Sequence, residues 1–304
     1  MNKKQIWNRK KLIFDRLNLN WSKTHAMVPT ALRLNKNIYR IYFGTRNKKN
    51  QSSVGFIDYD FEKFKILKKS KKECLTKGDL GTFDDNGVLP SSIIKKGRYY
   101  YLFYIGWKPG GTTRYSLIAG LAKSVDKGIS FQRVKKTPIL SCSNNEPYNI
   151  LTAPYVLQIK KNKFFMWYVS CKKWLNKDFP IYNIKFAYSE NLIDWIQTGK
   201  TCIELKKNER AVARPVVIKE KNIYKMWYCY EKIKSKYKIG YAESKNGIDW
   251  KRLDENIKIV GKKKYWEKDM MAYPFILNSN AETLMLYNGN NYGETGIGVS
   301  ILKK

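Results

Sequence analysis

Only one histidine, His25, occurs among the 304 residues. That argues against a histidine-based metal centre and excludes any Ser-His-Asp triad that does not use this one ring. Cysteine is sparse as well: Cys74, Cys142, Cys171, Cys202 and Cys229 are odd in number, and no pair has CxxC spacing. Neither a disulfide framework nor a metal site is suggested, and no organic cofactor is implied. Cys171 and Cys229 lie in apolar stretches, where a free cysteine behaves as a small hydrophobe. No stretch approaches 18 apolar residues, so no membrane span is expected. The basic start, MNKKQIWNRKKLIFDRLNLN, lacks the apolar core of a secretory signal. A soluble, reducing, cytoplasmic setting is the expectation.

Acidic residues are scarce, 25 against 59 basic ones, for a formal charge of +34. Most of the excess is lysine, 48 residues against 11 arginines. A basic field attracts nucleic acid, anionic lipid or acidic small molecules. These lysines are spread along the chain and not gathered in a tail, so they read as solvent-facing strand and turn positions. Nucleic acid is not the expected partner, because the aromatic residues recur at strand positions that suit a core better than a stacking platform.

What is present is a repeat. A proline opens a short apolar run five times, in VPTALRL (Pro29), LPSSII (Pro90), APYVLQI (Pro154), RPVVIK (Pro215) and YPFIL (Pro274), 59 to 64 residues apart. An aromatic-rich run follows each: IYRIYFG, YYYLFYIGW, KFFMWYVSC, IYKMWYCY and LMLYNG. Polar turn residues between the two runs make each pair a hairpin. A third run follows, and a short aromatic fourth closes three copies as ISFQRV, IDWIQT and IDWKRL. Ser124-x-Asp126-x-Gly128 has the form of an Asp-box turn, with Asp bonding turn backbone and Gly taking a positive φ. Four antiparallel strands per copy in five copies predict an all-β, five-bladed β-propeller, one domain over residues 1–304. The fifth copy lacks its outer run. Trp7-x-Arg9 matches Phe131-x-Arg133 and Trp250-x-Arg252, so the N-terminal strand is expected to complete the last blade.

Residues just before the inner strands of a propeller converge at one mouth of the central channel. Asp85 and Asp269 both stand five residues before their prolines, Glu209 stands six before and Glu146 eight before. Glycosidic chemistry needs paired carboxylates, one protonated and one ionised, which mutual repulsion and desolvation can separate. Asp85, Asp269 and Glu209 are therefore the candidate catalytic residues, although acids before a strand also serve as turn caps. Asp84 is expected to bond backbone, or to exchange roles with Asp85. Arg46 and Arg214 are candidate clamps for a carboxylate or phosphate. His25 takes the first-copy place where the others carry acids, and Trp107 and Tyr273 could stack on sugar faces.

The runs FDDNGVLPSSII…YYYLFYIGW, ARPVVIK…YKMWYCY…KIGYAESKNGIDW and YPFIL…MLYNGNNYGETGIGV resemble the five-bladed propellers of glycoside hydrolase families 43, 32 and 130. They are also similar to glycosidase-like proteins of bacterial surface-glycan biosynthesis and to the propeller region of plant glucosamine inositolphosphorylceramide transferases. The resemblance implies a carbohydrate or activated-sugar site at the channel mouth, with acids from several blades. It further implies a general base just before the first anchor proline, where this chain has Val28. Phosphorylase-like and transferase-like members handle phosphorylated or activated donors that Arg46 and Arg214 would hold. The expected function is cleavage or transfer of a glycosyl unit, the alternative being a glycan-binding propeller without catalysis.

Overall fold

A computed structural model of the chain describes residues 4–15, 19, 21–279 and 282–303. The proline-led repeat becomes four groups of four antiparallel strands. The first holds β2 (Thr24–Arg33), β3 (Ile38–Arg46), β4 (Ser52–Asp60) and β5 (Lys65–Lys69). The second holds β6 (Gly87–Lys96), β7 (Tyr99–Pro109), β8 (Tyr115–Ser124) and β9 (Gln132–Arg133). β10 (Ile150–Lys160), β11 (Lys163–Trp174), β12 (Pro180–Ser189) and β13 (Ile196–Ile203) make the third. β14 (Glu209–Glu220), β15 (Ile223–Lys232), β16 (Lys238–Ser244) and β17 (Lys251–Arg252) make the fourth.

The fifth group is assembled from both ends of the chain. β19 (Ala272–Ser279), β20 (Glu282–Asn288) and β21 (Ile297–Leu302) form an antiparallel run. β1 (Gln5–Phe14) adds to β21 in antiparallel register, with Trp7 opposite Leu302 and Phe14 opposite Ile297. β18 (Ile257–Val260) then pairs with β1 in parallel. This sheet has five strands, and the pairing of the other groups runs through one 16-stranded sheet. Neighbouring groups touch through short parallel contacts where a third strand meets the next first strand, such as Ser52 with Gly87 and Tyr182 with Ala211.

Burial explains the composition of the second strands. Leu102, Phe103, Tyr104 and Ile105 of β7 are all buried, so alternate side chains enter opposite faces, and both faces are covered. Tyr42 and Phe56 of the first group pack with Leu102 and Tyr104 of the second. Phe103 meets Phe164 and Tyr168 of the third, and Phe165 and Trp167 meet Tyr224 and Met226 of the fourth. Trp227 of the fourth, Leu286 of the fifth and Ile41 of the first then share one cluster. Hydrophobic packing therefore runs round all five groups and returns to the first. Asn288 adds polar contacts across that return, accepting from the Val28 amide at 2.8 Å and donating to the Ala26 carbonyl at 2.9 Å.

Two local features recur. Glycine faces the second-strand tyrosine in three groups, Gly120 opposite Tyr104, Gly240 opposite Tyr228 and Gly298 opposite Tyr287. A Cβ at Gly120 would lie 2.2 Å from the Tyr104 ring, so the ring can lie across the strand only over glycine. The Asp-box turn forms as its spacing predicts. Asp126 accepts from the Ile129 and Ser130 amides at 3.0 and 2.9 Å, and Gly128 takes φ 79°.

Trp7 is fully buried and packs edge-on to Trp227. Removing its ring should leave a large cavity between the fourth and fifth groups, and Trp7→Ala should cost about 3–5 kcal/mol. Deleting residues 1–15 should destabilise the whole molecule. Urea unfolding checks both, and a truncated chain of unchanged stability would show β1 to be dispensable.

Candidate functional site

Each inner strand carries a bulge at its anchor proline. The register with the second strand shifts between Met27 and Thr30, Pro90 and Ser92, Thr152 and Tyr155, Ala213 and Val216, and Ala272 and Phe275. The residue just before the proline adopts a left-handed backbone in four copies: Val28 (φ 56°), Ala153 (48°), Arg214 (56°) and Tyr273 (57°). Such a conformation costs a non-glycine residue about 1–3 kcal/mol. With or without it, the pre-proline residues of all five copies face one space. Val28, Leu89, Ala153, Arg214 and Tyr273 all line one central cavity of about 770 Å³. Its mouth is built by the connections between second and third strands, which contribute Asn50, Arg114, Asp178, Lys234 and Tyr292.

The deepest charged group is the Arg214 guanidinium, whose residue is 1% exposed. It donates to the Ser91 carbonyl, to Ser91 Oγ at 3.2 Å, to the Pro29 carbonyl at 3.0 Å and to Thr30 Oγ1 at 2.8 Å. One side chain of the fourth group thus holds the inner strands of the first and second. Ser91 passes the link on to the third by donating to the Pro154 carbonyl at 2.8 Å. Burial lowers the Arg214 pKa to about 10, which still leaves it charged at neutral pH. Carbonyl dipoles take the place of a carboxylate partner.

Among the described residues the wall holds two carboxylates, Glu231 and Asp178. Glu231 ends the aromatic run of β15 and is buried, and Arg210 of β14 donates to its Oε2. Burial raises its pKa above the ordinary value of 4.5, while Arg210 and Lys236 pull it back in part. Beside Glu231 and Arg210 stands an aromatic surface. The Tyr182 and Tyr237 hydroxyls share a hydrogen bond of 2.7 Å, and Tyr273 stacks on Tyr292 with ring centroids 6.4 Å apart. Burial pushes the hydroxyl pKa values of Tyr182, Tyr237 and Tyr273 upward, so all three are neutral donors. Trp107 lines the same space and donates to Ser52 Oγ at 2.8 Å.

The expected site residues divide. Arg46, Arg214, Trp107 and Tyr273 line the cavity together. His25, Asp84, Asp85, Glu209 and Asp269 are not part of its wall. Asp85 is half-buried in the turn before β6, where it accepts from the Gly81 amide at 2.9 Å, and Asp269 is exposed before β19. Their shared five-residue offset does not give a shared position, because the turns before β6 and β19 differ. His25 sits beside Thr24, its Nδ1 2.9 Å from Thr24 Oγ1.

Asp84 and Glu209 belong instead to a recurring structural network. Asp84 is bound by Arg133 at 2.7 Å and by the Tyr104 hydroxyl at 3.0 Å. Glu209 is bound by Arg252 at 2.7 Å, and Arg252 also holds Asp254, which accepts from Tyr228 at 2.5 Å. Glu267 is bound by Arg9 at 3.2 Å and by Tyr287 at 2.8 Å. Glu146 follows the pattern with Tyr168 at 2.9 Å and Gln197 at 3.2 Å. In three groups, then, a carboxylate before the inner strand joins the second-strand tyrosine to an outer-strand Arg or Gln, while in the fourth group Glu209 takes the arginine and Asp254 the tyrosine. Glu209 caps its turn, accepting from the Lys206 amide at 2.8 Å, whereas Asp84, expected to bond backbone, is held by the side chains of Arg133, Tyr104 and Thr82, and both acids therefore have a structural role. Arg9, Arg133 and Arg252, which the outer-strand match had already aligned, were the sequence signal for it. No comparable periodic signal marked Glu231, Arg210, Arg114, Tyr182 or Tyr237.

No family model matches the chain. Among solved structures, its fold is similar to a protein titled glycoside hydrolase (TM-score 0.73, 16% identity, covering 94% of this chain and 90% of that one). It is also similar to a thermostable family-43 glycoside hydrolase (TM-score 0.69, 17% identity, 95% and 92%). The catalytic domain of the Coprinopsis cinerea GH62 α-L-arabinofuranosidase aligns as well (TM-score 0.68, 11% identity, 99% and 97%). The fold is that of the β-propeller glycoside hydrolases, and at these identities the likeness speaks for fold alone. In sequence, the chain is 32% identical over 288 residues to the uncharacterized protein Rv1502 of Mycobacterium tuberculosis (strain ATCC 25618 / H37Rv), covering 94% of this chain and 95% of that protein. The uncharacterized protein MT1551 of strain CDC 1551 / Oshkosh matches equally. The chain belongs to the family of these two mycobacterial proteins.

If the acids before the inner strands are structural, their loss should be felt in stability. Asp84→Asn leaves Arg133 without its buried partner and should cost about 3 kcal/mol. Asp85→Asn and Asp269→Asn should stay within about 0.5 kcal/mol, as surface changes do. Denaturant titration of the three variants measures this. Equal losses at all three positions would contradict the division drawn above.

Proposed function

We propose that the protein is a carbohydrate-active, glycosidase-like propeller that cleaves or transfers a glycosyl unit in its central cavity. In this reading the five antiparallel groups are five blades, and β1 closes the last. The observation that carries it is the cavity itself, an axial pocket with an aromatic wall and a desolvated carboxyl, Glu231. The tyrosines and Trp107 offer apolar faces and neutral donors suited to a sugar ring.

Glu231 is the general acid. Its proton passes to the glycosidic oxygen as the bond from that oxygen to the anomeric carbon breaks. The acceptor oxygen bonds to the anomeric carbon and gives up its own proton. Asp178, the other carboxylate of the wall, is the base. The Arg210 pair favours a second reading, a glycan-binding propeller without turnover, since that cation opposes protonation of Glu231.

Screening oligosaccharides and nucleotide sugars with the wild type and Glu231→Gln separates the two. An enzyme loses turnover in the variant by about a hundredfold or more and keeps its ligand. A binding module shows ligand capture and no turnover in either form. The pH profile supplies a further check. An acid acts only while protonated, and a raised carboxyl pKa keeps the proton to higher pH. Turnover should therefore fall as pH rises through a value above 4.5, and the variant should lack that limb. Wild-type turnover in Glu231→Gln would refute the assignment.

A further inference from the structure

The charge on the cavity wall is not a sample of the surface. Among the described residues four arginines line it, but only two lysines do, although lysine outnumbers arginine 48 to 11 in the sequence. The lysine-rich composition therefore does not account for this cluster. Two of the four arginines are engaged within the protein: Arg210 pairs with Glu231, and Arg214 binds backbone carbonyls and hydroxyls.

Arg46 and Arg114 are different. Among the described residues no carboxylate forms an ion pair with either. Arg46 ends β3 and donates one terminal nitrogen to Asn50 Oδ1 at 3.0 Å, while its Nε is buried with no hydrogen-bond partner. Arg114 comes from the mouth turn of the second group and is exposed. Burial lowers the Arg46 pKa, and repulsion from Arg114 lowers it further, so the two guanidiniums share one neighbourhood. A half-buried cation beside a like charge, with an unused donor, is an unfavourable arrangement by itself. An anion offering two or three acceptor oxygens relieves both the repulsion and the unmet donor. Planar guanidinium forks match carboxylate and phosphate oxygens bidentately.

We infer that Arg46 and Arg114 form a subsite for an anionic group, a carboxylate or a phosphate, carried by the ligand of the central cavity. This rests on the reading of that cavity as a carbohydrate site, and it makes the substrate class an acidic or phosphorylated sugar. Trp107 and Tyr273, which line the same space, would hold the uncharged part of the ring. Arg214, the other expected clamp, is already saturated on most of its donors and serves the scaffold.

The test is calorimetric titration of the full chain with four probes: glucose, glucose 1-phosphate, glucuronate and inorganic phosphate. Glucose 1-phosphate or glucuronate should bind at least about tenfold more tightly than glucose, one charge-assisted contact being enough for that. Whichever of the two binds better identifies phosphate or carboxylate as the source of the anion. Arg114→Gln should remove that advantage, and because its side chain is exposed the variant should fold. Arg46→Gln should do the same. Lys161→Gln, in an exposed turn outside the cavity, should leave binding unchanged. Equal binding of glucose and both acidic sugars, unaffected by Arg114→Gln, would overturn the inference and leave the carbohydrate reading standing. Inorganic phosphate binding that depends on Arg114, with no gain from either sugar, would support the anion subsite and overturn the carbohydrate reading. Absence of binding by all three anions would overturn the inference.

Discussion

A single buried guanidinium sits where the inner strands meet. Arg214 projects from a bulged, left-handed position and holds carbonyl and hydroxyl groups of two other groups of strands. Burying a charge without a carboxylate is costly unless its donors are met, and here two backbone carbonyls and two hydroxyls meet those of the terminal nitrogens. The first, second and fourth inner strands must therefore keep their relative positions for Arg214 to stay satisfied. The size of the central cavity follows from this constraint, because the pre-proline residues of the other copies are held around the same axis.

Acidic residues are few, and most of the buried ones serve the scaffold. Asp84, Glu146, Glu209 and Glu267 each fasten the turn before an inner strand to a tyrosine, an outer-strand side chain, or both. This repeated fastening gives the groups a common geometry without leaving carboxylates at the axis. The charged side chains of the cavity wall are instead ones that appear once. Glu231 and Asp178 are not repeated in other copies, and neither are Arg46 and Arg114. A repeating scaffold carrying a non-repeating site is what allows one fold to host many activities.

The cavity combines two surfaces that suit different parts of one ligand. Tyr182, Tyr237, Tyr273 and Tyr292 present rings and neutral hydroxyls, and Arg46 and Arg114 present positive charge at the mouth. Desolvation strengthens both the charge interactions and the perturbation of Glu231. The +34 charge of the whole molecule acts at longer range and would draw an anionic ligand toward the mouth if the proposed subsite binds one.

Much of the architecture was legible in the chain itself. Five proline-led runs, their aromatic partners and the Trp7-x-Arg9 match pointed to an all-β repeat and to the pairing of β1 with β21, because strand period and turn chemistry are local properties. Arg214 and Tyr273 immediately precede anchor prolines, Arg46 and Trp107 come from the ends of second strands, and all four line the cavity. Counting back from the prolines misplaced Asp85 and Asp269. Offset along a chain predicts a side chain's direction only while the backbone stays regular, and the turns before β6 and β19 are not alike. Glu231, Arg210 and Arg114 carried no repeating signal, so only the tertiary structure could bring them together. It also decided which carboxylates bind an arginine or tyrosine of the scaffold and which face the cavity, since that depends on strands hundreds of residues apart, as with Arg9 and Glu267.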